Sequence, residues 1–86
     1  MRVHLSTHFV SYTGSKSVVE AHGATLGDVL ADLDRRFPGL RFRLIDEQGH
    51  VRRHVKAFVN LRTVESLATP VAATDEIHIL GALSGG

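Results

Sequence analysis

The last two residues of the sequence, Gly85 and Gly86, are those whose type and place could bring a reactive group to another protein. Glycine has no Cβ, so an extended segment ending in two glycines can enter a channel too narrow for other residues. The reacting group would then be the main-chain carboxylate rather than a side chain. Taken alone, two such glycines are more often a frayed end that packs against nothing. The surrounding sequence is needed to distinguish these two interpretations.

Six histidines are the other candidate chemical groups, and the sequence contains no cysteine. Without cysteine there is no disulfide and no thiolate, so any sulfur that the protein carries must be bound to another group. His4 and His8 would lie about 13 Å apart on one strand, too far to share a metal. His4 and His78 become neighbours only if the first and last strands pair, and two imidazoles alone hold a metal poorly. We therefore expect no metal site.

Composition excludes several other classes of function. Ten Lys and Arg against nine Asp and Glu give a net charge of +1, with no general attraction to nucleic acid or to an anionic membrane. No Ser–His–Asp set, carboxylate pair or phosphate-binding glycine loop is present. We expect a chain that is not an enzyme and binds no cofactor. Without an apolar run of signal-peptide or membrane-span length, cytoplasm is the expected location.

One segment in the middle of the chain is locally basic. Its cationic residues are Arg41, Arg43, Arg52, Arg53 and Lys56. They could form an exposed rim of the sheet, or they could dock onto an acidic surface of a partner. RNA binding is less favoured, because only Phe42 and Phe58 could stack on bases.

Hydrophobic periodicity predicts the elements that must position these groups. Apolar and polar residues alternate over 3–9, and a second strand over 17–21 completes a hairpin. Thr25 caps a helix whose apolar stripe ends before Pro38. Further strands are predicted over 40–45, 51–60 and Glu76–Leu80, with an irregular segment over 61–74.

A lone helix stripe and a lone sheet face have only each other to bury against. We therefore predict an α+β fold of the β-grasp, or ubiquitin-like, type, in which one main helix crosses a mixed sheet of four or five strands. The domain should span 1–80, and 81–86 should be an extended tail. The predicted core comprises Val3, Leu5, Leu26, Val29, Leu30, Leu33, Val59 and Ile77.

Several segments of the sequence resemble the MoaD/ThiS family of ubiquitin-like sulfur carriers, and together they cover nearly the whole chain. These segments are Thr25–Leu30, Val55–Asn60, Leu67–Val71, Thr74–Leu80 and Ser84–Gly86. The sequence departs from the family at Ala73-Thr74-Asp75, where Asp-Gly-Asp is common, and at Gly81-Ala82, where proline is common. The long insertion over 41–54 favours a molybdopterin-like or cysteine-synthesis-like branch over a thiamin-type carrier.

The resemblance implies a role for the chain end. An ATP-dependent enzyme of the ubiquitin-activating type would adenylate the carboxylate of Gly86, with Gly85 beside it. Sulfur would displace AMP and leave a thiocarboxylate, which a second enzyme would use in cofactor or cysteine biosynthesis. The chain would be a protein cosubstrate, or the small subunit of a molybdopterin-synthase-type enzyme. ATP would be used by the activating partner.

A second class of function uses the same tail. The chain could instead be a ubiquitin-like modifier joined to lysines by an isopeptide bond, or a β-grasp binding module. In either class, apolar residues on the sheet face away from the helix would mark a docking surface. Its expected residues are Phe58, Leu80, Leu83 and Ser84. Burial beneath the segment 61–74 is the alternative for the apolar ones.

Overall fold

The computed structural model describes residues 1–81, which form a five-stranded mixed sheet with helices packed on one face. The elements in chain order are β1 (Arg2–Leu5), a 3₁₀ helix (Val10–Thr13), β2 (Val18–Glu20), α1 (Leu26–Arg36), α2 (Leu40–Leu44), β3 (Val55–Val59), β4 (Arg62–Val64) and β5 (Glu76–Gly81). In the described part of the chain, no helix has the length and apolar character needed to cross a membrane.

The strand order across the sheet is β2-β1-β5-β3-β4. Strand β1 pairs antiparallel with β2 and parallel with β5, whereas β3 pairs antiparallel with both β5 and β4. The last strand therefore occupies the centre of the sheet. This mixed topology, with one main helix across it, confirms the predicted β-grasp fold.

The predicted core is confirmed, because all eight of its residues are buried. Residues of β1 and β3 face the same side of the sheet as Ile77 and Ile79 of β5, with Val3 and Val59 both paired to Ile77. Helix α1 covers this side with Leu26, Val29, Leu30 and Leu33. Its start is also as predicted, since the Thr25 Oγ1 accepts a hydrogen bond from the Asp28 N–H at 3.2 Å.

The prediction of a strand over 40–45 is wrong, because these residues form α2. Gly39 turns the chain with a φ of +94°, and Leu40 and Leu44 then lie four residues apart on the buried side of the helix. Phe42 points away from the core and is 60% exposed. The sequence Leu-Arg-Phe-Arg-Leu satisfies both the strand period and the helix spacing, and burial of the two leucines decides for the helix.

Two other segments also differ from the prediction. Strand β1 ends at Leu5, so His8 lies beyond it, and Phe9 reaches the core from a turn rather than from a strand. In the segment predicted to be irregular, Asn60 and Leu61 have positive φ values and form a two-residue turn into β4. Leucine rarely adopts this conformation, so the residue types at this turn did not indicate a β-hairpin. Strand β3 begins only at Val55, later than predicted.

One carboxylate fastens the segment before α1 to the last turns of that helix. Asp32 accepts hydrogen bonds from the backbone N–H of His22 at 3.0 Å and from the guanidinium groups of Arg35 and Arg36 at 2.7 and 3.1 Å. The His22 N–H is the main cause that lowers the pKa of Asp32, and the two arginines add to it. The folded state therefore favours the ionised carboxylate.

We expect Asp32→Asn to lower the free energy of unfolding by roughly 1 kcal/mol at pH 7, because charge-assisted hydrogen bonds are lost. A lowered folded-state pKa adds stability above the unfolded value of 3.8, and this contribution disappears as the pH falls through the folded value. Thermal unfolding at pH 7 and at about pH 2.5 measures both. Glu65→Gln, at an exposed position, is the control. Equal destabilisation by Asp32→Asn at both pH values would contradict this account.

Candidate functional site

The candidate site is the sheet face that the helices leave open, together with the end of β5. Side chains alternate across a sheet, so the neighbours of the buried residues in each strand project to this open face. In β5 these are Glu76, His78 and Leu80, and in β3 they are Lys56 and Phe58. Leu80 is 45% exposed and Phe58 is half-buried.

A single cross-strand row runs through the middle of the open face. Its members, in the order of the strands, are Val18, His4, His78, Phe58 and Thr63. The rings of His4 and His78 stack with their centroids 4.2 Å apart and an angle of 7° between their planes. The predicted condition for their contact is met, because the first and last strands pair. The stacked imidazole rings lie between Val18 and Phe58 in this row and continue it across the sheet.

Glu76 lies beside this row and is held by two basic side chains. Its Oε1 is hydrogen-bonded to the Nε2 of His4 at 2.7 Å and lies 3.2 Å from the guanidinium of Arg2. The hydrogen bond with His4, followed by the charge of Arg2, lowers the pKa of Glu76. Within residues 1–81, no three His, Asp or Glu side chains are grouped so that they could hold a metal ion.

The structure places two of the predicted docking residues together on the open face. Phe58 pairs with His78, and Leu80 lies two residues further along β5, opposite Lys56. They are therefore not covered as core residues are, although their role in docking stays a prediction. The other predicted site residues, Leu83, Ser84, Gly85 and Gly86, lie outside the described part of the chain. The proposed boundary between domain and tail also stays a prediction.

The end of β5 is held on both sides. Gly81 pairs with Val55 of β3, and its backbone N–H donates to the Oγ of Ser6 at 2.9 Å. A Cβ at Gly81 would lie 3.1 Å from the Cβ of His8 and 3.1 Å from the Cζ of Phe9, so a larger residue would crowd this contact. These contacts fix the position of Gly81 at one end of the sheet.

Sequence reasoning missed Ser6, His8 and Phe9 as residues that hold the end of β5. It assigned His8 and Phe9 to a continuous first strand and Gly81 to the tail. The one available signal was the apolar pair Phe9-Val10 between His8 and the turn at Gly14. No local pattern indicates that this turn packs against a residue more than 70 positions later.

Comparison with known proteins agrees with this geometry. A model of the ThiS family matches residues 3–86. The chain belongs to the ThiS family. Sulfur carrier protein CysO of Mycobacterium tuberculosis is 37% identical over 89 residues, covering 98% of this chain and 96% of that protein. Its crystal structure superposes with a TM-score of 0.90 at 36% identity, over 95% of this chain and 98% of the other.

Two further relatives bear on function. The crystal structure of the Amycolatopsis orientalis BexX/CysO complex contains a chain with a TM-score of 0.90 and 32% identity, covering 99% of this ThiS-family chain and 98% of that one. Small archaeal modifier protein 3 of Haloferax volcanii is 38% identical over 66 residues, which span 73% of this chain and 71% of that protein. The similar proteins therefore include some named as sulfur carriers and some named as protein modifiers.

We expect Ser6→Ala to loosen the end of β5, because the N–H of Gly81 loses its hydrogen-bond acceptor. Hydrogen exchange followed by NMR should show the Gly81 amide exchanging a few-fold to about tenfold faster, as loss of one hydrogen bond allows. The neighbouring exposed residue provides the control, since Thr7→Ala should leave this rate unchanged. An unchanged Gly81 rate in Ser6→Ala would show that the hydroxyl does not hold the strand.

Proposed function

We propose that this chain is a sulfur-carrier protein of the cysteine-synthesis branch, whose working group is the C-terminal carboxylate of Gly86. The observation that carries the proposal is the likeness to CysO sulfur carriers along nearly the whole chain, in a family match that extends to Gly86. The absence of cysteine supports a main-chain carrier group, because no thiol is available to hold the sulfur.

The proposed chemistry has two steps. The carboxylate of Gly86 attacks the α-phosphorus of ATP, forming an acyl-adenylate and releasing pyrophosphate. Hydrosulfide (HS⁻) supplied by a sulfur donor then attacks the acyl carbon and expels AMP, and loss of its proton leaves the thiocarboxylate. In this scheme the activating enzyme binds ATP, and the chain is a protein cosubstrate that holds no cofactor. A cytoplasmic location fits a supply of ATP and of reduced sulfur.

Two partners follow from this chemistry. One is an adenylating enzyme of the ubiquitin-activating type, and the other is the biosynthetic enzyme that accepts the sulfur. The open face is suited to docking, since Phe58 and Leu80 present apolar area next to the end of β5. That the CysO of Amycolatopsis orientalis forms a complex with BexX supports a partner-dependent role for the fold. Leu83 and Ser84 would continue this contact along the tail.

We expect deletion of Gly86 to abolish thiocarboxylate formation while leaving the thermal midpoint nearly unchanged. The deletion withdraws the carboxylate by about 3.5 Å, and a misplacement of about 1 Å can already cost a hundredfold in rate. The assay is intact-protein mass spectrometry after incubation with the adenylating enzyme, ATP and a sulfur donor. Only the wild-type chain should gain the mass difference of sulfur replacing oxygen. Formation of thiocarboxylate on the shortened chain would contradict the proposal.

We expect Phe58→Asp and Leu80→Asp each to raise the KM for the adenylating enzyme about tenfold or more, as for residues at the centre of an interface. Leu61→Asp is the matched control, because Leu61 is a highly exposed leucine in the β3–β4 turn, at the other end of β3 from Gly81. Circular dichroism checks that each variant is folded. Unchanged KM values in folded variants at 58 and 80 would remove these residues from the docking surface.

The relationship to small archaeal modifier protein 3 supports a second candidate, in which the same activated carboxylate forms an isopeptide bond with lysines of other proteins. Both candidates begin with the acyl-adenylate, and they differ in the nucleophile that follows. Mass spectrometry separates them, because a carrier yields the free thiocarboxylate and a modifier yields branched peptides that end on lysine side chains. Branched products without any thiocarboxylate would favour the modifier.

A further inference from the structure

The charges of this chain are unevenly distributed along the sequence. Residues 41–56 contain five Lys and Arg against two Asp and Glu, whereas the remainder contains five against seven. The middle segment therefore carries a net charge of +3 and the rest a net charge of −2. The near-neutral total conceals a strongly polarised molecule.

The fold brings the positive segment to the end of the sheet where β5 ends. Gly81 and Val55 form the last residue pair between β5 and β3, so residues 52–54, which precede β3, lie beside Gly81 at this end of the sheet. Lys56 lies opposite Leu80 on the open face. Arg43 and His54 border the same surface depression as Arg52. We call Arg43, Arg52, Arg53 and Lys56 the basic collar.

The cations of the basic collar form no ion pair within residues 1–81, although Glu65 borders the same depression as Arg53 and Lys56, and Asp46 borders one with Arg52. All ion pairs found within residues 1–81 use other cations. Asp46 accepts hydrogen bonds from the backbone N–H groups of His50 and Gln48, which lower its pKa, and the charge of Arg52 adds to this lowering. Arg43, Arg53 and Lys56 are exposed. Unpaired cations clustered on one surface are suited to an acidic partner.

The chemistry of the surface favours a protein over a nucleic acid. Phe42 is the exposed aromatic residue beside the basic collar, and the guanidinium of Arg52 already lies over its ring at 4.8 Å while its Nε donates to the Phe42 carbonyl. Arg52 therefore covers one face of the ring and reduces the area that Phe42 offers for stacking with a base.

We propose that the basic collar docks onto an acidic surface that surrounds the tail-receiving channel of the adenylating enzyme. This inference rests on the proposed function, because insertion of the tail brings this end of the sheet against the mouth of the channel. Opposite charges at that contact would steer the tail toward its entrance and raise the association rate. The open-face residues would supply apolar contact, and the basic collar would supply orientation.

The test uses the full chain and the ubiquitin-activating-type enzyme of the same organism, identified by ATP–pyrophosphate exchange that depends on this chain. Arg53→Glu and Lys56→Glu should each lower kcat/KM for thiocarboxylate formation about tenfold at low salt, and the dependence of the wild-type rate on salt should become shallower. Arg62→Glu is the matched control: it makes the same change of charge at the other end of β3 and should alter neither quantity.

The outcomes separate this inference from the proposed function. If wild type forms no thiocarboxylate at any salt concentration, the proposed function fails and the inference fails with it. If wild type is activated and the variants at 53 and 56 match it in rate and salt dependence, the inference alone is overturned. If Arg62→Glu lowers kcat/KM as much as the other two variants do, the effect comes from net charge and not from the position of the basic collar, and the inference is overturned. If the wild type binds single-stranded RNA, and Arg53→Glu loses this binding while its activation is unchanged, the basic collar binds a nucleic acid and not an acidic protein surface.

Discussion

Pairing of β5 on both of its edges is the interaction on which the rest of this structure depends. Ile77 and Ile79 are completely buried, and their strand is hydrogen-bonded to β1 on one side and to β3 on the other. A C-terminal strand at the sheet centre cannot move without breaking two ladders and exposing the core. The residues beyond Gly81 therefore start from a fixed point, which a carrier needs if another enzyme is to find its terminal atom.

The open face follows from the same register. Placing Ile77 and Ile79 toward α1 necessarily turns Glu76, His78 and Leu80 outward, since the side-chain period of a strand is two. Pairing then sets His4 against His78 and Phe58 beyond it. Core formation and the arrangement of the candidate docking surface are thus two consequences of one strand register. A one-residue slip of β5 would destroy both.

Much of the fold could be predicted because helix and strand periodicities along this sequence are strong and consistent. The stripe from Leu26 to Leu33 and the alternation around Ile77 found the core without any three-dimensional information. The prediction failed at 40–45, where five residues satisfy both periods, and at Leu61, whose positive φ no propensity indicates. Gly81 is held by contacts with Ser6, His8 and Phe9. These contacts depend on tertiary packing, so no local sequence pattern could predict them.

In the proposed function the carboxylate of Gly86 carries the chemistry, and the β-grasp domain presents it to the partner enzymes. The most direct measurement is intact mass spectrometry of the chain isolated from its own cells, with fragmentation to locate any change. The account predicts a fraction in which one oxygen is replaced by sulfur, located in the fragment that contains Gly86. Finding only the unmodified carboxylate, or only branched conjugates with lysine, in cells actively making cysteine would contradict it.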